Sequence, residues 1–163
     1  MACSRLFPQM LKLLQRFRRL DRDARSLFLR GSVLLLVVAV GLRVCGLRGT
    51  QNMLRYFLPD ASAEPHPPGE RAVKDVARTA CVVSAAARYG IVPSTCLERS
   101  LALWWFLGRQ GLASSVRIGT RKNAGRLEAH AWVEFDGRAL NEVEEPRTQY
   151  AAFDAAFPLW SRK

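Results

Sequence analysis

The sequence feature that most constrains this chain is a capped helix start that places a cysteine in its first turn. Thr95 is followed three residues later by Glu98, and an apolar run begins directly afterwards. This spacing is a capping box, so it predicts a helix that begins at Cys96 with Thr95 as its N-cap. Unpaired backbone N–H groups and the positive end of the helix dipole favour a thiolate at that position. Cys96 is therefore a candidate nucleophile, with a small buried hydrophobic residue as the alternative interpretation.

A β-hairpin further along the chain carries one of only two histidines. Residues 128–135 alternate in the manner of a strand, an Asp-Gly pair forms a strong turn signal, and residues 138–143 return as a second strand. The pattern places His130 on a strand, whereas His66 lies among prolines without periodic context. A histidine on a rigid strand and a cysteine at a helix start are the parts of a Cys–His nucleophile pair.

The return strand also offers a third group to orient this histidine. With a strict two-residue turn, Ala131 would pair with Glu142, and Asn141 would share the face of His130. A bulge at the turn would shift the register by one residue and bring Glu142 to that face instead. A carboxylate stabilises an imidazolium better than an amide does, so Glu142 is the preferred candidate, with Asn141 as the alternative and Glu134 as a third choice.

Together these segments resemble a known family. The residues that carry the likeness are 95–112, 116–119, 128–134, 136–137 and 140–142. They resemble the leader peptidase of lasso peptide biosynthesis, which is the peptidase half of the lasso B protein and a branch of the transglutaminase-like cysteine enzymes. The likeness is close over residues 70–145 and holds in outline for the helical region before them.

The resemblance implies a fold, an activity and partners. Such enzymes cut the leader from a ribosomally made precursor peptide, and a separate ATP-dependent macrolactam cyclase then closes the freed core peptide. By position, Cys96 would be the nucleophile, His130 the base and Glu142 the orienting acid, at a place where the family usually has Asp. The implied fold is α+β, with a papain/transglutaminase-like core in which the cysteine helix packs on a small antiparallel sheet.

The organisation of the chain bears on how the leader is recognised. Some lasso B proteins carry a strand-rich leader-binding domain, but residues 1–60 are predicted to be helical and to pack on the core. Residues 61–69 are a Pro-rich linker without room for an inserted domain, and residues 70–163 form the catalytic core. We therefore expect a separate small leader-recognition protein to bind the precursor.

Composition limits the remaining function classes. Cys3, Cys45, Cys81 and Cys96 have no zinc-site spacing, and no phosphate-binding loop is present, so no metal or cofactor is expected. Scattered cysteines without a disulfide framework favour the cytoplasm. The apolar run at 31–42 is too short to cross a bilayer as a helix, which needs about 20 residues.

The net charge of +11 is concentrated in the first part of the chain. Eleven of the 25 Lys and Arg lie in residues 1–60, which contain three Asp and no Glu. A solvated helix whose leucines pack on the core is the favoured interpretation, ahead of docking to an acidic partner or to an anionic membrane surface. Nucleic acid is not expected as a partner, because no aromatic–basic interleaving or reader motif accompanies the charge.

Two other function classes use the same residues differently. A transglutaminase-like acyltransferase would employ the same three side chains but pass the acyl group to an amine instead of water. A non-enzymatic basic scaffold or membrane-edge protein would leave the cysteine inert. The sequence favours the peptidase, with these two as its alternatives.

Overall fold

The computed structural model describes residues 22–58, 70–90, 93–140, 142, 145–153 and 157–158. Three long helices come first: α1 (Arg22–Tyr56), α2 (Glu70–Tyr89) and α3 (Cys96–Arg109). The strands that follow are β1 (Ser115–Asn123), β2 (Arg126–Phe135), β3 (Arg138–Leu140), β4 (Ala151–Ala152) and β5 (Phe157–Pro158), with the short helix α4 (Pro146–Gln149) before β4. The predicted linker at 61–69 and the first 21 residues of the predicted N-terminal region lie outside the described residues.

Helix α1 is long and contains one sharp break. Gly46 has φ 65° and ψ −175°, a conformation that is open to glycine, and two helical parts join across it. The apolar run at 31–42 is only the middle of this helix, which continues past Arg30 and Arg43. Among the described residues, α1 is therefore the one helix that is long and apolar enough to cross a membrane by length and composition.

Helix α3 is fixed at both ends by local interactions. The backbone N–H of Glu98 donates to Oγ1 of Thr95 at 3.3 Å, and the backbone N–H of Thr95 donates to the Glu98 carboxylate at 2.7 Å. These two bonds are the predicted capping box. At the other end, Gly111 at φ 73° and Leu112 donate to carbonyls of the last turn in a Schellman motif. The predicted helix start at Cys96 is thus confirmed.

The strands form one antiparallel sheet in the order β3-β2-β1-β4, and β5 pairs with β1 as well. Both hairpins have two-residue turns with positive φ at both positions: Ala124 and Gly125 between β1 and β2, and Asp136 and Gly137 between β2 and β3. This geometry is that of type I′ turns, whose twist matches the twist of paired strands. The Asp-Gly turn is therefore a strict two-residue turn.

One hydrophobic core joins the helices to the sheet. Its buried side chains come from all three long helices and from β1 and β2. Trp104 of α3 is completely buried, and the indole N–H of Trp105 donates to the carbonyl of Leu54 in α1 at 3.1 Å. Each large apolar side chain buried in this way contributes roughly 1.5–3 kcal/mol to stability. The predicted α+β fold, with the cysteine helix packed on a small antiparallel sheet, is confirmed.

Candidate active site

Cys96 is the first residue of α3 and is partly exposed. The other two described cysteines, Cys45 and Cys81, lie on the protein surface. The first N–H groups of a helix have no partner within the helix, so this end of α3 can stabilise a thiolate or an oxyanion that develops beside the sulfur.

His130 lies on β2 and contacts Glu142 directly. Its Nε2 atom is 3.1 Å from Oε2 of Glu142, and the two side chains are only 19% and 17% exposed. When Nε2 donates to the carboxylate, the other ring nitrogen, Nδ1, carries the lone pair of the neutral imidazole. A carboxylate that holds one ring nitrogen in this way fixes the tautomer and orientation that a general base needs.

Glu142 lies two residues beyond the last described residue of β3. The turn has no bulge, and the last pair of the β2–β3 ladder is Val133 with Leu140. Glu142 itself is not in a strand, so the alternation of faces along a strand does not determine where its side chain points. The bulge considered from the sequence is therefore not the cause of the contact. The alternative candidate, Asn141, lies outside the described residues.

Two hydrogen bonds connect α3 to this part of the sheet. Nη2 of Arg99 donates to Oε1 of Glu142 at 2.9 Å. The hydroxyl of Ser100 donates to the carbonyl of Ala131, the residue after the histidine, at 3.0 Å. Helix residues three and four positions apart lie on one face, about one turn from each other. Cys96 therefore lies on the face of α3 that meets the histidine strand, one turn before Arg99 and Ser100.

The structure thus brings two of the predicted site residues together and places the third on the adjoining helix face. Contact between the Cys96 sulfur and the His130 ring stays a prediction. Arg99 is a site residue that the sequence analysis missed. A polar residue on an amphipathic helix is usually solvated, and only its position three residues after the cysteine hints at another role.

Two aromatic rings enclose the histidine. The ring centroid of Trp132 is 6.1 Å from that of His130 with the planes 20° apart, and the centroid of Tyr150 is 5.2 Å away. Gly119 on β1 lies opposite the histidine, and a Cβ at this position would come within 3.0 Å of both Trp132 and Tyr150. The glycine therefore leaves room for the Trp132 ring and for the chain at Tyr150 to approach β1 beside the histidine.

Glu134, the third candidate from the sequence, binds other partners. Its buried carboxylate accepts hydrogen bonds from Arg147 at 2.6 and 2.7 Å, from Arg117 at 3.1 Å, and from the indole N–H of Trp132 at 3.0 Å. Burial alone would raise the pKa of Glu134, but the bonds from Arg147 and Trp132 and the charges of both arginines together lower it. This carboxylate ties α4 to β1 and β2.

We expect Glu134→Gln to reduce the pH dependence of stability. The folded chain lowers the pKa of Glu134, so its charge stabilises the fold above the unfolded-state pKa of about 4.3. This stabilisation is lost as the pH falls through the lower folded-state pKa. Thermal melts followed by circular dichroism should give a lower Tm for the variant than for the unsubstituted chain at neutral pH. The difference in Tm should be smaller at about pH 3.

Glu128→Gln is the matched control for this measurement. Glu128 lies on the same strand and also has a lowered pKa, because Arg121 and then Asn123 donate hydrogen bonds to it, but its side chain is 40% exposed against 5% for Glu134. Solvent screens an exposed pair, so its substitution should change Tm little at any pH. Parallel Tm curves for Glu134→Gln and the unsubstituted chain across the acid range would contradict the role given to Glu134.

The side-chain types near this part of the sheet are those that nucleophilic acyl transfer uses. A cysteine at a helix start can act as a sulfur nucleophile, and a histidine held by a carboxylate can act as a base. Within the described residues, no group of three or more His, Cys, Asp or Glu side chains could hold a metal ion.

One family model matches the chain. It is described as the transglutaminase-like superfamily, and it matches residues 34–153, which is more than half of the chain. The matched range includes Cys96, His130 and Glu142, together with α2, α3 and strands β1 to β4. No curated protein and no solved structure matches the chain.

Proposed function

The chain belongs to the transglutaminase-like superfamily, which comprises cysteine peptidases and acyltransferases, and on this premise we propose that it is a cysteine endopeptidase. Its substrate in this proposal is a ribosomally made lasso precursor peptide, which it cuts between leader and core. The observation that carries the proposal is the pairing of His130 with Glu142 at 3.1 Å, beside a helix that begins with Cys96.

The first half of the reaction forms an acyl-enzyme. The Cys96 thiolate attacks the scissile carbonyl carbon, and N–H groups at the start of α3 stabilise the resulting oxyanion. The His130 imidazolium then gives its Nδ1 proton to the departing amine as the C–N bond breaks. The core peptide leaves with a neutral amine, and the leader stays attached to Cys96 as a thioester.

The second half releases the leader. Water attacks the thioester carbonyl while Nδ1 of His130 takes one of its protons, and the C–S bond then breaks to return the Cys96 thiolate. The products are a leader carboxyl group and the original thiolate–imidazolium pair. Throughout both halves, Glu142 holds Nε2 of the ring and stabilises its positive charge.

The choice of a leader peptide as substrate rests on the sequence. The cysteine helix followed by a His-Ala-Trp-Val-Glu strand resembles the lasso leader peptidases over residues 70–145. In this proposal a separate leader-recognition protein presents the precursor, and an ATP-dependent macrolactam cyclase takes up the freed core peptide. The enzyme acts in the cytoplasm, where the thiol stays reduced.

The test is incubation of the chain with a candidate lasso precursor peptide and a candidate leader-recognition protein, followed by mass spectrometry. Hydrolysis gives two fragments whose masses add up to the precursor plus one water. Transfer of a glutamine acyl group to an amine would instead release ammonia, and would show an acyltransferase. Precursor that stays intact with all components present would overturn the peptidase proposal.

Arg99 is expected to act as a positioning residue in this reaction. It holds Oε1 of Glu142, which leaves Oε2 directed at His130. Loss of this charge-assisted hydrogen bond in Arg99→Gln should lower kcat by roughly tenfold while KM changes little. Arg99→Lys, which retains the charge, should recover part of kcat. Steady-state kinetics on the precursor peptide measures both effects.

Arg109→Gln is the matched control, because Arg109 lies at the far end of the same helix. It donates to the carbonyl of Phe57 and lies over the ring of Trp105, away from Glu142. If the two glutamine variants had the same kcat and KM, Arg99 would be only a structural residue of α3.

A further inference from the structure

The side of α1 that faces away from the core is an apolar stripe. Its six side chains are 41–76% exposed: Leu29, Val33, Leu36, Val37, Val40 and Val44. They recur at intervals of three and four residues, so they lie along one side of the helix over about 22 Å. A contiguous exposed apolar surface on a folded chain marks an interaction site.

Positive charge surrounds the stripe. Helix α1 contains six arginines and one acidic residue, Asp23. Helical spacing places Arg30 on one flank of the stripe and Arg43 on the other, and it places the exposed Arg22 in line with the stripe, about two turns before Leu29. Arg43 also approaches the Glu98 carboxylate at 3.8 Å, yet its side chain is 72% exposed. Arginines at the edge of an apolar surface can pack their stems along it and extend the guanidinium groups towards anions.

An apolar groove adjoins the stripe. It has a volume of about 860 Å³ and lies between the first half of α1 and the end of α3, where its walls include Leu27, Val33 and Trp105. Arg109 lies at its edge, with its guanidinium carbon 5.6 Å from the centre of the Trp105 ring. Tryptophan beside arginine is typical of side chains at the boundary between headgroups and acyl chains.

We propose that α1 binds the surface of an anionic membrane. The stripe lies at the boundary between headgroups and acyl chains, and the flanking arginines bind lipid phosphates. The helix does not span the bilayer, because Leu35, Val38 and Leu54 on its other side are buried in a core shared with α2 and α3. It therefore has only one side to offer to lipid.

The chemistry of the stripe favours lipid over a protein partner. A second copy of the chain is disfavoured as the partner, because two stripes in contact would bring their flanking arginines close to each other. Each α1 helix has only one acidic residue, Asp23, to offset this repulsion. Lipid accepts a long aliphatic surface without a matching shape.

The test is co-sedimentation of the full chain with vesicles that contain phosphatidylglycerol and phosphatidylcholine, beside vesicles of phosphatidylcholine alone. We expect binding to the anionic vesicles, weakened by salt. The double variant Val33→Glu/Val40→Glu should bind at least about tenfold more weakly, because two side chains no longer transfer to lipid. Val73→Glu on α2 is the matched control, since Val73 and Val40 are both 52% exposed. This control variant should bind the anionic vesicles as the unsubstituted chain does.

A second double variant tests the charges. Arg22→Gln/Arg30→Gln should weaken binding to anionic vesicles by several fold and leave the weak binding to neutral vesicles unchanged. This variant and Val33→Glu/Val40→Glu should both retain the melting temperature of the unsubstituted chain, because the substituted side chains are exposed.

Three outcomes would overturn the membrane proposal. The unsubstituted chain could fail to bind anionic vesicles, or the Val33→Glu/Val40→Glu variant could bind them as well as the unsubstituted chain does. Sedimentation velocity could instead show a dimer that only this variant abolishes, which would make the stripe an interface between copies. None of these outcomes depends on the proposed peptidase activity.

Discussion

Cys96→Ala is expected to lower kcat/KM for precursor cleavage by at least about 10⁴-fold, because no thioester can form without the sulfur. The His130–Glu142 pair would remain in the variant, but a base alone activates water far less effectively than a bound thiolate attacks a carbonyl. Mass spectrometry of timed digests measures the rate of cleavage. The variant should keep its fold, since Cys96 is partly exposed at the helix start.

Cys45→Ala and Cys81→Ala are the controls for this substitution. Both cysteines are exposed, on α1 and α2, and neither contributes to the proposed mechanism. Each control variant should cleave the precursor at the unsubstituted rate. Cleavage by Cys96→Ala at that rate would remove the covalent mechanism altogether.

Alkylation tests the same cysteine without any substrate. Iodoacetamide reacts with thiolates, so Cys96 should be labelled faster at neutral pH than the more exposed Cys45 and Cys81. His130→Ala should slow the labelling of Cys96 alone, because the imidazolium no longer stabilises the thiolate. Labelling rates that simply follow exposure, and do not change in His130→Ala, would show that the sulfur and the imidazole do not act together.

Glu142→Gln is expected to lower kcat by about 10²-fold or more, with a smaller change in KM. The two carboxylate oxygens face two donors, Arg99 at 2.9 Å and Nε2 of His130 at 3.1 Å. A glutamine side chain offers one acceptor oxygen and one N–H₂ group, so it cannot satisfy both donors. Either the arginine loses its partner or the histidine adopts the wrong tautomer for a base.

Steady-state kinetics on the precursor peptide checks this result against two further variants. Glu142→Asp keeps the charge but is one methylene shorter, so we expect a kcat between those of the glutamine variant and the unsubstituted chain. Glu128→Gln replaces a carboxylate on the histidine strand that is 40% exposed, and it should leave kcat unchanged. Unchanged kcat in Glu142→Gln would mean that this carboxylate does not orient the base.

The cysteine helix and the histidine hairpin could be predicted from the sequence because short-range interactions define them. The capping box joins Thr95 and Glu98, three positions apart, and the Asp-Gly turn joins strands that are adjacent in the chain. Such interactions form with little loss of chain entropy, and the residue types that make them are few. The position of Cys96 at the start of α3 and that of His130 on β2 follow from them.

The partner of the histidine could be narrowed down but not settled in this way. Strand alternation left Asn141 and Glu142 as alternatives, and the contact with Glu142 depends on where β3 ends. Around that end, Ser100 binds Ala131 across 31 residues and Arg99 binds Glu142 across 43 residues. No local pattern indicates such long-range contacts, because they depend on how α3 packs beside the sheet.

The exposed stripe of α1 could likewise be predicted only in part from the sequence. Hydropathy identifies 31–42 as apolar, but a helix that is apolar on several sides does not reveal which side the protein covers. Packing against α2 and α3 buried Leu35 and Val38 and left Val33 and Val40 in solvent.

By itself, the sequence determined the elements that carry the sulfur and the imidazole, since residues a few positions apart fix a helix cap or a tight turn. Only the tertiary structure decided which acid meets the imidazole, which arginine holds that acid, and which side of α1 stays uncovered. Those outcomes come from close packing between segments distant in the chain, whose shapes fit only once the common core has formed.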